Sequence, residues 1–372
     1  MKFELVATCL FGLEHLLGEE IDRLGYERVS TIDGRITYLG DEEAVALSNV
    51  FLRYAERVFI KLGSFRATSF EELFEGTRVL PFPDFIGKND AFPVKGHSIK
   101  SKLFSIPDCQ SIVKKAAVVS MSERYGISVF PETGVKYQIE FFILNDLATV
   151  MIDTSGTALH KRGYRKDALG APIRETLAAA IAATSRPRDN VLLWDPMCGS
   201  GTIAIEAAML MRGIAPGRSR SFAAEAFSFI PESIWRRARE EAFDLEHPTD
   251  FEAYASDIDP AAVELAKKNA KLAGVDSTIK IFECDARKIS APGRRGTIVT
   301  NPPYGERLGT VKEVEALYRE MGVHFRSLAP WQVYVITSHP SFERLYGKRA
   351  DKVRKLYNGM LPCYLYQYFK NN

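Results

Sequence analysis

Apolar residues recur at helical spacing over residues 13–24 and 42–52, and a short alternating segment, 35–39, lies between them. This mixture predicts an α+β unit over roughly the first 65 residues. A second α+β pattern follows from about residue 66 to 152. It has strands expected at 91–94, 135–144 and 148–153 and a helix at 110–125. The pair Asn145-Asp146 suits a hairpin turn between the last two strands. Residues 154–173 show little periodicity and are rich in Gly and cations, as expected of a connector. Beyond them, 175–183 is Ala-rich and helical, and strands then alternate with helices. The strands are expected at 191–194, 251–256, 279–282, 297–300 and 331–336, and the helices at 202–211, 261–272 and 311–328. This order predicts a doubly wound parallel sheet. Segments 353–357 and 363–369 flank Asn358-Gly359 and are expected to close the fold as an antiparallel hairpin. The expected division is 1–65, 66–155, a connector 156–174, and 175–372.

Composition narrows the class. A chain of 372 residues with 46% hydrophobic and 26% charged residues has the profile of a globular protein of two or three domains. No run of about 18 apolar residues suggests a membrane span, and the N-terminal residues lack the apolar core of a signal peptide. Cys9, Cys109, Cys198, Cys284 and Cys363 are scattered without a Cys-x-x-Cys pair. Reduced thiols in a cytoplasmic protein are therefore expected, with neither a disulfide framework nor a metal site. The net charge of +2 is small, but cations cluster at 95–102, 160–166, 218–220 and 348–355. Such clusters either neutralise phosphates or form solvated faces.

Candidate chemistry sits at the strand ends. The strand expected at 191–194 runs into Asp195-Pro196-Met197-Cys198-Gly199-Ser200-Gly201-Thr202 and a helix. Gly199 and Gly201 allow a ligand to approach the backbone closely, and the helix start offers free amides. The same glycines fit a dinucleotide fingerprint, but the acid expected about 20 residues later is missing from its place. Asp195 would repel a pyrophosphate and suits the sulfonium and ammonium of S-adenosylmethionine. Asp257 is placed to accept ribose hydroxyls and Asp285 the adenine amino group. Pro196, Cys198, Thr202, Ile258 and Ala286 lie in the same loops and complete the expected cofactor set. The alternative makes Asp195 and Asp257 helix caps and Asp285 a loop acid. Residues 262, 265, 266 and 269 share helical spacing and read as packing.

The segment Asn301-Pro302-Pro303-Tyr304 closes the strand 297–300. Its two prolines supply acceptors but no backbone donors. Asn301 and the Pro302 carbonyl could accept from an exocyclic amine of a nucleobase, with the Tyr304 ring stacked on the base. Their alignment with a sulfonium methyl would turn that amine into a nucleophile. Asn301 also belongs to the expected cofactor contacts. The plain alternative is a rigid turn with a packing tyrosine.

In this order DPMCGSGT (195–202), SDID (256–259), ECDA (283–286) and NPPYG (301–305) resemble the amino-methylating class I methyltransferases. The connector DTSGTALHKRGYR (153–165) and APIRE (171–175) are similar to the junction in THUMP-domain RNA methyltransferases of the RlmL/YpsC type, the 23S rRNA guanine-N2 methyltransferase family. The resemblance implies a ferredoxin-like domain, a THUMP domain and a Rossmann-like catalytic domain with a mostly parallel seven-stranded sheet. It further implies S-adenosylmethionine as cofactor and structured RNA as partner, 23S rRNA ahead of tRNA. Lys100, Lys102, Lys161, Arg162 and Arg165 are then expected to contact RNA, although the last three could instead hold the connector against the domains. Methylation of DNA adenine, a catalytically silent RNA-binding role and a nicotinamide oxidoreductase are the competing readings.

Overall fold

The computed structural model describes residues 2–165, 173–304 and 310–369. In the N-terminal half the order is β1 (Phe3–Cys9), α1 (Glu14–Arg23), β2 (Arg28–Ile32), β3 (Arg35–Gly40), α2 (Glu42–Phe51) and β4 (Ala55–Arg66). It continues with α3 (Phe70–Arg78), β5 (Val94–Ile99), α4 (Ile106–Tyr125), β6 (Ile139–Leu144) and β7 (Leu147–Asp153). These strands form one seven-stranded sheet, β2-β3-β1-β4-β7-β6-β5. The two α+β units read from the sequence thus share a sheet, and β4 is the strand they share. Its residues Ala55 to Lys61 pair with β1 and Phe59 to Arg66 with β7, so 59–61 are paired on both sides, with an irregularity between Lys61 and Gly63.

Several local features follow from residue chemistry. Asn145 and Asp146 take φ values of 51° and 66°, the left-handed conformations that a two-residue hairpin turn needs and these residues tolerate. The strand expected at 91–94 is displaced. Ala91 makes only an isolated bridge to Lys136, and the ladder with β6 begins at Val94, past Pro93, which has no N–H to give. Helix α4 starts four residues before the expected 110, with Pro107 in its first turn, where a missing N–H costs nothing.

The C-terminal half runs α5 (Glu175–Thr184), β8 (Leu192–Asp195), α6 (Thr202–Met211), α7 (Glu232–Asp244), β9 (Ala253–Asp257), α8 (Pro260–Ala273) and β10 (Ile279–Glu283). It ends with β11 (Gly296–Thr300), α9 (Val311–Ser327), β12 (Gln332–Thr337), α10 (Phe342–Tyr346), β13 (Lys352–Asn358) and β14 (Leu361–Tyr368). The second sheet has the order β10-β9-β8-β11-β12-β14-β13, in which the first five strands are parallel and β14 is antiparallel to both its neighbours. The closing hairpin pairs Asn358 with Leu361, so its two-residue loop is Gly359-Met360, one position later than expected. Gly359, at φ 68°, supplies the left-handed residue.

Alternate residues of the second sheet feed two cores. Leu193 and Val299 join a large cluster that runs through α5, α6 and α8 into the N-terminal half. Trp194 and Ile298 face Tyr318 of α9 and Phe342 of α10. The insertion before β9 carries α7, which packs on α2 of the N-terminal half. Among the described residues no helix is long and apolar enough to cross a membrane.

Candidate active site

Strand β8 lies between β9 and β11, with which it runs parallel, so the chain reverses its lateral progress at β8, the position at which a parallel sheet leaves a crevice beyond its strand tips. The loop leaving β8 uses both glycines in the left-handed region, Gly199 at φ 51° and Gly201 at φ 81°. A Cβ on Gly201 would lie 3.1 Å from that of Ala266, so helix α8 passes directly behind the loop. The loop is tied to the tip of β9. Cys198 N donates to the Ser256 carbonyl (3.0 Å) and Gly199 N to Asp257 Oδ2 (2.9 Å). Asn269 of α8, expected only to pack, is buried and donates to the Ser200 carbonyl (2.9 Å).

Asp195 is 1% exposed. Its Oδ1 accepts from Thr300 Oγ1 (2.8 Å) and Met197 N (3.3 Å). Burial pushes its carboxyl up to about 7; the Thr300 hydroxyl and Met197 amide pull against that shift, and the Asp257 charge adds to it. Asp195 caps no helix, and neither does Asp257, because Asp259 caps α8 by accepting from Ala261 N. Asp257 Oδ1 receives the Asp259 amide (3.0 Å). Ile258 beside it is 60% exposed, an apolar surface at the rim of the crevice. Asp285 is held otherwise than expected. Arg287 forks onto it, Nε to Oδ1 at 2.9 Å and Nη2 to Oδ2 at 2.8 Å, and also reaches Glu320 (3.0 Å). That hydrogen-bonded guanidinium keeps the Asp285 carboxyl below its ordinary range. Ala286 is buried in the second core.

Thr300 ends β11, so its bond to Asp195 joins the glycine loop directly to the turn that begins at Asn301. In that turn Tyr304 Oη donates to Asn301 Oδ1 (2.5 Å), and Tyr318 Oη donates to the Pro303 carbonyl (2.7 Å) while pairing with Thr337 Oγ1 (2.9 Å). Pro302 is buried. A turn with two prolines cannot hold itself by backbone donors, and here the Tyr318 side chain of α9, itself paired with Thr337 of β12, holds it by the Pro303 carbonyl. Thr300, Tyr318 and Thr337 were not among the expected site residues. The apolar spacing of α9 marks Tyr318 as core-facing but carries no sign of its target. Gly305 lies outside the described residues.

The expected RNA contacts divide. Lys100, Lys102 and Lys161 are exposed. Arg162 and Arg165 are corrections. Arg162 is 6% exposed, donates to the Leu159 carbonyl (2.7 Å) and the Arg53 carbonyl, and lies 3.5 Å from Glu206. Arg165 donates to the Ile173 carbonyl (2.9 Å), Thr202 Oγ1 (3.2 Å) and Glu175 Oε2 (3.0 Å). Arg162 is buried in the seam between the halves, and Arg165, partly buried, ties the connector to α5 and α6, so both take the alternative role of holding the connector against the domains. Glu206 of α6 gathers Arg53 (3.5 Å) from the N-terminal half with Arg162 and the Tyr164 hydroxyl (3.0 Å) from the connector. Glu56 of β4 likewise accepts from His160 (2.9 Å), Arg174 (2.7 Å) and Thr176 (2.6 Å). Lys166, Ala171 and Pro172 lie outside the described residues.

Three family models match this arrangement: an RlmL ferredoxin-like domain over residues 4–59, a THUMP domain over 67–153 and an RMKL-like methyltransferase domain over 162–367. YpsC of Bacillus subtilis (strain 168), named as an RNA methyltransferase, is 43% identical over 99% of this chain and 96% of its own length. The ribosomal RNA large subunit methyltransferase K/L of Psychromonas ingrahamii is 32% identical over 96% of this chain, which spans only 49% of that longer protein. Among solved structures, SMU.472, named as a methyltransferase and complexed with SAH, superposes with a TM-score of 0.92 at 40% identity, covering 100% of this chain and 99% of that one.

Proposed function

From the premise that this chain belongs to the RMKL-like methyltransferase family, with RlmL ferredoxin-like and THUMP domains ahead of the catalytic one, we propose that it transfers a methyl group from S-adenosylmethionine to guanine N2 in structured RNA, most specifically 23S rRNA. The observation that carries the reading is the Thr300–Asp195 hydrogen bond. It brings the acid-lined loop suited to a cationic cofactor against the turn suited to a nucleobase amine, so donor and acceptor would meet at one point.

In this reading Asp195 faces the cationic part of the cofactor, and its carboxylate form is favoured by that charge. The Gly199–Gly201 loop, with Pro196, Cys198 and Thr202, lies along the methionine end. Asp257 takes the ribose hydroxyls, and Ile258 and Ala286 flank the adenine. Asp285 would take the adenine amine only by sharing oxygens that Arg287 now occupies. The chemistry the cofactor brings is an already activated methyl on a positive sulfur.

The protein's part is alignment. The Asn301 side-chain oxygen and the Pro302 carbonyl would accept the two amine hydrogens and turn the nitrogen lone pair toward the methyl; the S–C bond would break as the N–C bond forms, leaving a neutral thioether, and the nitrogen would then release one proton to solvent. Tyr304 now holds the Asn301 oxygen, so an arriving base must displace its hydroxyl. Its ring is then available to stack, a contact worth about 1–3 kcal/mol on the usual scale. A paired base must leave its stack to enter. The K/L name of a relative supports the large-subunit RNA, and only the half that this chain spans is invoked.

Replacing Asn301 by Ala tests the assignment. Cofactor affinity measured by calorimetry should stay nearly unchanged, while turnover falls about 10²–10³-fold, as when one preorganised polar group is removed from a reacting centre. Equal losses in binding and turnover would contradict the role.

A further inference from the structure

The loop between β5 and α4 carries an arrangement that the crevice does not use. Its backbone is pinned at the base. Ser98 Oγ donates to the Leu103 carbonyl (2.5 Å) and Ser101 Oγ to the Ile99 carbonyl (2.9 Å). Lys102 N donates to Asp146 Oδ1 (2.8 Å), and Asp146 N donates back to Ser101 Oγ (3.0 Å). The loop is thereby locked to the β6–β7 hairpin turn.

From this fixed base Lys100, Lys102 and Phe104 project into solvent, and Phe104 is 82% exposed. Phe104 immediately precedes Ser105, the N-cap of α4. An apolar residue there commonly folds back on the first turn of its helix. Here it does not, so helix capping leaves its placement unexplained. Among the described residues neither lysine has a carboxylate partner. The adjacent edge strand β5 adds exposed Lys95 and His97. Ile99 and Leu147 add exposed apolar side chains at the neighbouring strand ends, but a protein-docking core is poor in charge, whereas the exposed Phe104 shares its loop with Lys100 and Lys102.

We propose that this loop is a stacking platform for an unpaired nucleotide of the RNA substrate, with Phe104 against the base face and Lys100 and Lys102 on the flanking phosphates. The proposal rests on the RNA reading above and adds a place where a single-stranded segment is gripped, outside the crevice. A duplex hides its base faces, so the platform discriminates by strand state and not by sequence.

The test uses the full chain and fluorescence polarisation with two labelled probes, a short unstructured RNA and a blunt-ended duplex RNA of similar length. Phe104→Ala should weaken single-strand binding roughly 5- to 150-fold and leave duplex binding nearly unchanged, while Phe104→Trp restores it. Lys100→Ala and Lys102→Ala should each lower the slope of log affinity against log salt by about 0.7 on the single strand. Thermal midpoints and cofactor affinity should match wild type in all four variants, since none of these side chains is buried or near the crevice loops. Wild-type single-strand affinity in Phe104→Ala overturns the platform while the RNA reading stands. An equal loss on both probes also overturns it, because stacking would then not be the source. A wild-type protein that binds neither probe and methylates no RNA overturns both.

Discussion

Two seven-stranded sheets carry this molecule, and they place function in different ways. In the C-terminal sheet five strands run parallel, so their polar tips gather at one end, and three successive tips deliver Asp195, Asp257 and Asn301 to a common crevice. In the N-terminal sheet the pairing is antiparallel except between β5 and β6, so tips point both ways and no such gathering occurs. What that sheet offers instead is an exposed edge and the loops beside it. The contrast teaches that a parallel sheet concentrates chemistry, whereas an antiparallel one presents surface. Between the two lies a seam of buried charge around Glu206 and Glu56 that fixes one relative to the other.

The largest expected effect is at that seam. Glu206→Ala leaves Arg53 and Arg162 buried without their shared carboxylate and should cost about 3–5 kcal/mol of stability, read from denaturant unfolding. A wild-type midpoint would show that the halves are held together by apolar packing alone. Next comes Asp257→Ala, which should weaken cofactor binding by about 10- to 100-fold without changing RNA affinity, the scale of a charge-assisted hydrogen bond. Loss of RNA affinity there would erase the division between the sheets.

A smaller effect belongs to Tyr318→Phe. Removing one hydroxyl frees the Pro303 carbonyl, and turnover should fall about 5- to 10-fold with cofactor affinity intact. An unchanged turnover would mean that the turn is rigid without its brace.

The smallest is a pH dependence. Asp195, raised by burial from 3.8 to about 7, is neutral below that point and a carboxylate above it. Affinity for the cationic cofactor should therefore rise several-fold from pH 6 to pH 8, and Asp195→Asn should flatten the curve. In the unliganded protein the sign is opposite. The folded state keeps a proton that the unfolded chain releases, so this group's contribution to stability falls as pH climbs from 3.8 to about 7.

Sequence reveals these features unequally, for physical reasons. The central parallel strands β8, β11 and β12 were readable because each is a short, largely apolar run buried on both faces, and the turn at 145–146 because Asn and Asp tolerate left-handed backbone. The closing turn slipped by one residue, since Asn358 and Gly359 both accept such a conformation and only the ladder decides which one does. The shared N-terminal sheet was not legible, because nothing in β4 announces that its two ends serve different partners. Arg162 and Arg165 looked like a basic surface because clustering along the chain says nothing about burial, and their carboxylate partners lie at positions 206 and 175. The brace at Tyr318 was hidden likewise, since its partner is a backbone carbonyl 15 residues away.

Methylation of a guanine's exocyclic amine in the crevice is the step on which the rest depends. It is tested most directly by incubating the purified chain with methyl-deuterated S-adenosylmethionine and RNA from cells lacking the gene, separated into 23S rRNA and tRNA, and then analysing the nucleosides by mass spectrometry. Deuterated N2-methylguanosine is expected in the 23S rRNA. Deuterium in a different nucleoside, or in none while the protein binds its cofactor, would contradict it.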